Sequence, residues 1–153
     1  MREFKRKISL LLVVGFVFAG LVPVAHADEV TRPTVTVYKS PYCGCCAKWV
    51  EHMRRSGFPV IVEDVSDISA VKLIAGIPGD LEACHTASVA GYVVEGHVPA
   101  NDVDRLLAQR PTGTGLAVPG MPAGSPGMEQ GGRSDAFDVV LFSGAARTVF
   151  AHY

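Results

Sequence analysis

Apolar positions recur along this chain with two different periods, and the switches between them mark its elements. Val35, Val37 and Tyr38 lie in a β-branched, aromatic run over residues 34–38 that is followed by the turn signal Ser40-Pro41, which predicts a strand. Cys46, Val50 and Met53 then repeat at helical spacing up to Ser56-Gly57, which predicts a helix stopped by glycine. Residues 58–62 form a second short strand entered through Pro59. Glu63, Asp64 and Asp67 precede and cap a second helix over residues 68–74, which halts at Gly76 and Pro78. Residues 87–94 read as one further strand, with Gly91 marking a bulge or a close backbone approach. Val98-Pro99-Ala100-Asn101 open a helix through Val103, Leu106 and Leu107 that ends at Arg110-Pro111. Residues 137–142 and 147–150 are two strands joined at Ser143-Gly144, a hairpin. The predicted class is α/β: a βαβα unit, then a strand, a helix and a C-terminal β-hairpin.

Composition changes this picture at two places. Eleven of the 22 residues from 111 to 132 are Gly or Pro, which excludes a helix or a central strand there. Leu116, Val118, Met121 and Met128 are too apolar for a pure solvated linker, so the segment reads either as a loop lying across the domain or as a disordered linker. At the other end, Arg2, Lys5, Arg6 and Lys7 precede a mostly apolar stretch over residues 8–24 and the small-residue pattern Ala25-His26-Ala27. That is the layout of a secretory signal peptide cleaved after Ala27, leaving residues 28–153 as a single exported domain with no stable membrane insertion. Removing residues 1–27 moves the formal net charge from −1 to −4, which argues against nucleic acid as a partner.

The chemistry is concentrated in Tyr42-Cys43-Gly44-Cys45-Cys46, three thiols at the turn from the first strand into the first helix. Unpaired N–H groups and the helix dipole favour thiolates at such a turn. In an exported protein four cysteines usually mean two disulfides, yet only Cys84 lies far from the others. Pairs within the triplet are expected to be labile and redox-active. Cys43 and Cys46 form a C-x-x-C in the strand-turn-helix setting of dithiol enzymes, with Cys43 as nucleophile and Cys46 as resolving thiol. The third thiol Cys45 and the later Cys84-His85-Thr86, which the topology returns to the same end of the sheet, exceed what dithiol exchange requires. Clustered thiolates instead suit a soft metal, above all Cu(I), and can bridge more than one ion. Metal binding, metal-free thiol–disulfide exchange and a structural disulfide therefore stand as three readings of the triplet. Copper held without turnover is a fourth.

Further donors are weaker signals. Met121 and Met128 bring thioethers on the Gly/Pro-rich loop, either as copper ligands or as packing, and His85 is a ligand or an orienting group beside Cys84. His97 reads as a structural histidine, His52 as part of a solvated face with Glu51, Arg54 and Arg55, and Trp49 and Met53 as core.

The motifs Cys43-Gly44-Cys45-Cys46, Ala83-Cys84-His85-Thr86-Ala87, residues 91–99 and residues 115–128 together resemble the CopG-type copper-resistance proteins of bacterial periplasms, long catalogued as a domain of unknown function. The resemblance covers roughly residues 33–150. It implies a thioredoxin-like fold, copper bound by Cys43, Cys45, Cys46 and Cys84, and a role in interconverting Cu(I) and Cu(II) during detoxification. Other periplasmic copper-handling proteins are the implied partners.

Overall fold

The computed structural model describes residues 32–153. The expected signal peptide and its cleavage point fall on residues 1–27, outside the described residues. Seven strands form one mixed sheet: β1 (Val35–Lys39), β2 (Val60–Asp64), β3 (His85–Val89), β4 (Tyr92–Glu95), β5 (Gly115–Ala117), β6 (Asp138–Ser143) and β7 (Ala146–His152). Their order across the sheet is β2-β1-β3-β4-β5-β6-β7, with β1/β2 and β4/β5 parallel and the other pairs antiparallel. Three helices accompany it: α1 (Gly44–Arg55), α2 (Ile68–Ile74) and α3 (Ala100–Gln109). This is the expected α/β, thioredoxin-like architecture. Among the described residues no helix is long and apolar enough to cross a membrane.

Two of the three helices start at a side-chain cap. Cys43 caps α1 by accepting the Cys46 N–H on its sulfur, and His52, Arg54 and Arg55 in the last turn complement the negative end of the helix dipole. Asp67 caps α2 by accepting from the Ser69 and Ala70 N–H groups. α3 follows Pro99, whose side chain caps nothing, and its free Ala100 N–H is taken by His52 Nε2 at 3.0 Å. His52 therefore does not lie on a solvated face as its charged neighbours suggested: it is half-buried and ties α1 to α3.

Side chains alternate across a strand, so neighbouring residues enter different layers. Val94, Leu116 and Val139 join Trp49, Val50, Met53, Val103 and Leu106 in the main core, which α1 and α3 cover. Val93, Ala117 and Val140 instead join a smaller cluster with Ile77, Leu81 and Phe142. Trp49 and Met53 are fully buried, as their helical spacing predicts.

Two strand expectations are also corrected. Residues 87–94 are not one strand with a bulge but the hairpin β3/β4, turning at Ala90 (φ 47°) and Gly91 (φ 87°). Both central residues are left-handed, as a tight two-residue hairpin turn requires, and Ala90 gives no sequence signal of it. Secondly, residues 115–117, within the Gly/Pro-rich segment, form β5 between β4 and β6, deep inside the sheet. Glycine permits this strand rather than breaking it: a Cβ at Gly115 would stand 1.8 Å from the Val93 carbonyl oxygen.

The rest of that segment is an ordered loop, which decides between its two readings. Turn hydrogen bonds run from Ser125 N–H to Pro122 O and from Met128 N–H to Ser125 O, and Asp135 accepts from the Ala123 N–H. At Gly127 a Cβ would meet Cys45 O and Trp49 N at 2.8 Å, so the loop lies directly on the first turns of α1.

Candidate metal centre

The strand β1 delivers the chain to the Cys43 turn, and β3 runs antiparallel beside it with His85 opposite Lys39. This register returns Cys84 to the end of the sheet where α1 begins. The ligand atoms of Cys43, Cys45, Cys46 and Cys84 all lie within 4.8 Å of one another. Cys43 and Cys46 are joined as a disulfide with their Cα atoms 5.3 Å apart. Cys45 and Cys84 are free thiols. The Cys45 sulfur is 3.5 Å from that of Cys43 and 3.8 Å from that of Cys84, so it stands between the bonded pair and the distant cysteine. Cys46 is fully buried, while Tyr42, next to the triplet, is 94% exposed.

Two imidazoles close the other side. The Cys84 sulfur lies 3.0 Å from His97 Nε2 and 3.4 Å from His85 Nδ1, and these three residues form a second group able to hold a metal. His97 Nδ1–H donates to the Pro126 carbonyl at 2.7 Å, which leaves Nε2 as the lone-pair nitrogen facing Cys84. His85 is packed between Trp49, with ring centroids 4.5 Å apart, and the edge of His97. Its Nε2 is buried without a hydrogen-bond partner. Trp49 is fixed in turn by its indole N–H to the Val98 carbonyl.

His97 is a further candidate donor, at a position whose sequence context gave it as structural. The β3/β4 register pairs Thr86 with Glu95, and continued two steps it sets Cys84 opposite His97. Recognising the hairpin is what reveals the pair. Of the two loop thioethers, Met128 is partly buried on the stretch that crosses α1, whereas Met121 is 55% exposed, next to Gly120, whose N–H is bonded to the Glu82 carbonyl.

Electrostatics set the protonation states. Burial holds His85 well below the ordinary histidine value, with His97 and Lys72 adding to the effect, and burial also lowers His97 against its bond to Pro126. Both rings are therefore neutral at pH 7, the form that binds metals. Burial, then the neighbouring Cys45, pushes the Cys84 thiol up to about 12, so in the metal-free protein it keeps its proton. Beneath it lies a buried ion pair. The Glu95 carboxylate contacts the Lys72 ammonium directly and accepts from Thr86 Oγ1 at 2.7 Å and from the Ala83 N–H at 2.6 Å. That last bond fixes the backbone immediately before Cys84.

A sheet of this topology with a thiol cluster at the start of its first helix defines a thioredoxin-like domain whose gathered sulfurs are close enough to hold one metal ion. A family model described as a protein of unknown function, DUF411, matches residues 81–128, which contain Cys84, His85, His97 and both loop methionines. No curated protein matches the chain. Two solved structures do, both named copper resistance protein CopG: form 2 at 42% identity and form 1 at 43%. Each covers 80% of this chain and 98% of its own length with a TM-score of 0.75. The chain belongs to the CopG family of copper resistance proteins.

Proposed function

We propose that this protein acts in copper resistance as a periplasmic copper oxidoreductase, with copper as the substrate that it converts between Cu(I) and Cu(II). Cys43, Cys45, Cys46 and Cys84 bind the metal as thiolates, and more than one ion is held. His85 and His97 add imidazole nitrogen. Met128 and Met121 complete the soft donor set from the loop, and Cys43 and Cys46 carry the redox chemistry. Residues 1–27 direct export and are removed after Ala27, and copper is exchanged with other copper-handling proteins of the periplasm.

One observation carries the reading: the Cys84 sulfur lies 3.8 Å from Cys45 and 3.0 Å from His97 Nε2, so it joins the thiol cluster to neutral imidazoles. Thiolates alone favour Cu(I), whereas imidazole also suits Cu(II), and a site offering both can serve either oxidation state. Buried, pre-oriented rings and the loop across α1 limit water at the metal. The test is copper analysis of the purified protein followed by voltammetry. Turnover requires a reversible copper couple, and tight Cu(I) without one means sequestration. A Cys45→Ser variant that held copper as well as wild type would remove the role given to the third thiol.

The Cys43–Cys46 disulfide favours a second reading, a metal-free thiol–disulfide oxidoreductase. Disulfide-reductase activity that survives a copper chelator and Cys45→Ser, but not Cys43→Ser, decides for it.

A further inference from the structure

One buried carboxylate holds the residues on both sides of the Cys84-His85 pair. Glu95 accepts from the Ala83 N–H at 2.6 Å and from Thr86 Oγ1 at 2.7 Å, and Ala83 and Thr86 stand immediately before Cys84 and after His85. Thr86 and Glu95 are direct partners in the β3/β4 register. Beyond Glu95, Gly96 donates its N–H to the His85 carbonyl at 3.0 Å, and the next residue is His97, whose Nε2 lies 3.0 Å from the Cys84 sulfur. Cys84 and His85 are thus flanked by groups bonded to Glu95, and His97 stands two residues from it.

The cation that balances Glu95 is placed against the usual pattern. Within α2 only Lys72 is buried, while Leu73 and Ile74 are 82% and 87% exposed. An amphipathic helix ordinarily buries its leucine and isoleucine and leaves lysine in water. Here the helix carries an ammonium inward, where it contacts Glu95 and donates to Thr86 Oγ1 at 3.2 Å. Stability alone does not account for such a pair, since apolar side chains of similar volume often pack as well or better. Apolar side chains could not, however, bind the Ala83 N–H or the Thr86 hydroxyl.

We propose that Glu95, Thr86 and Lys72 are positioning residues for the copper site: they clamp the Cys84-His85 pair against His97, so that this sulfur and these rings stand in ligand geometry before the metal arrives. They act through the ligands and do not touch the metal. A ligand set fixed by bonded neighbours loses less freedom on binding, and removing such neighbours typically lowers metal affinity roughly 10–100-fold. Because it concerns copper ligands, the clamp rests on the copper reading and adds to it what fixes their geometry.

The test uses residues 28–153, reduced and loaded with Cu(I), and compares Thr86→Val, Thr86→Ser and the double variant Lys72→Met/Glu95→Leu with wild type. Thr86→Val keeps the side-chain shape and cuts one arm of the clamp, Thr86→Ser keeps the hydroxyl, and the double variant replaces the ion pair by apolar groups and cuts both arms. Circular dichroism checks the fold, chelator competition gives Cu(I) affinity, voltammetry gives the potential, and electron spin resonance reads the Cu(II) form. With the fold intact, Thr86→Val and the double variant should bind Cu(I) roughly 10–100-fold more weakly and displace both the potential and the spin signal. Thr86→Ser should restore the wild-type values. Wild-type affinity, potential and spin signal in Thr86→Val and the double variant would reduce the clamp to packing and leave the copper reading intact, as would Thr86→Ser behaving no better than Thr86→Val. If wild type itself retains no copper, the copper reading fails and the role of the clamp with it.

Discussion

Replacing Lys72 by methionine tests how the floor under Cys84 is held. The substitution keeps the aliphatic stem and removes the ammonium, leaving Glu95 with no exposed surface and only the Thr86 hydroxyl and Ala83 N–H as partners. A buried carboxylate without its cation costs about 3–5 kcal/mol when one partner is deleted. The cost has a ceiling, because Glu95 can take up a proton instead. From an ordinary glutamate value of 4.5, neutralisation at pH 7 costs about 3 kcal/mol at about 1.4 kcal/mol per pH unit. Burial already lifts Glu95 in the wild type, so about 3 kcal/mol is an upper figure, equivalent to roughly 10 °C in melting temperature for a domain of this size. The sign with pH follows. In the variant the folded-state pKa of Glu95 rises further above its unfolded value, so the folded state binds the extra proton and the deficit shrinks as pH falls from 7 towards 5. Urea unfolding of Lys72→Met, Glu95→Gln and the double variant at both pH values is the assay, and the double variant should recover most of the loss. A deficit below about 1 kcal/mol at pH 7, or one that does not narrow towards pH 5, would refute the argument.

Gly127→Ala places a methyl 2.8 Å from Cys45 O and Trp49 N at a φ of +86°, so the loop must lift from α1. The expected cost is about 1–3 kcal/mol, with faster alkylation of Cys45 than in wild type measured by mass spectrometry. His52, His85 and His97 all lie below their ordinary value of 6.5 in the folded state, so the unfolded chain binds more protons as pH falls. Stability is therefore full above about pH 6.5 and lost below it, and a melting temperature that is flat from pH 7.5 to 5 contradicts this. Because the Cys84 thiol sits at about 12, copper must displace its proton, and apparent Cu(I) affinity through this residue should rise about tenfold per pH unit between 6 and 8 in competition titrations. Cys84→Ser should flatten that slope by one proton.

How much was legible in the sequence depended on whether the signal was local. β1, α1, β2 and α2 follow from side-chain periods, a glycine stop and the Asp67 cap, and the gathering of Cys84 with the triplet follows from their order. The β3/β4 turn was hidden because Ala90 is a residue that normally avoids the left-handed region. That one gap hid His97 as well, since only the hairpin register sets it against Cys84. β5 was obscured for a different reason: Gly115 is selected by a neighbouring backbone carbonyl, and a contact between strands leaves no trace in the local pattern. His52 looked solvated because its neighbours on α1 are charged, while the group that buries it, the start of α3, lies 48 residues away.

Trp49 is the chain's one tryptophan, and its ring packs against His85 inside the domain. The protein therefore carries its own optical reporter at the edge of the sulfur cluster. Indole emission here belongs to a single dry environment whose nearest aromatic neighbour is one of the proposed copper ligands. A metal arriving on that imidazole changes the quenching of one indole, whose emission is separated by red-edge excitation from that of the four tyrosines. Loading and release can thus be followed in real time on the unlabelled protein.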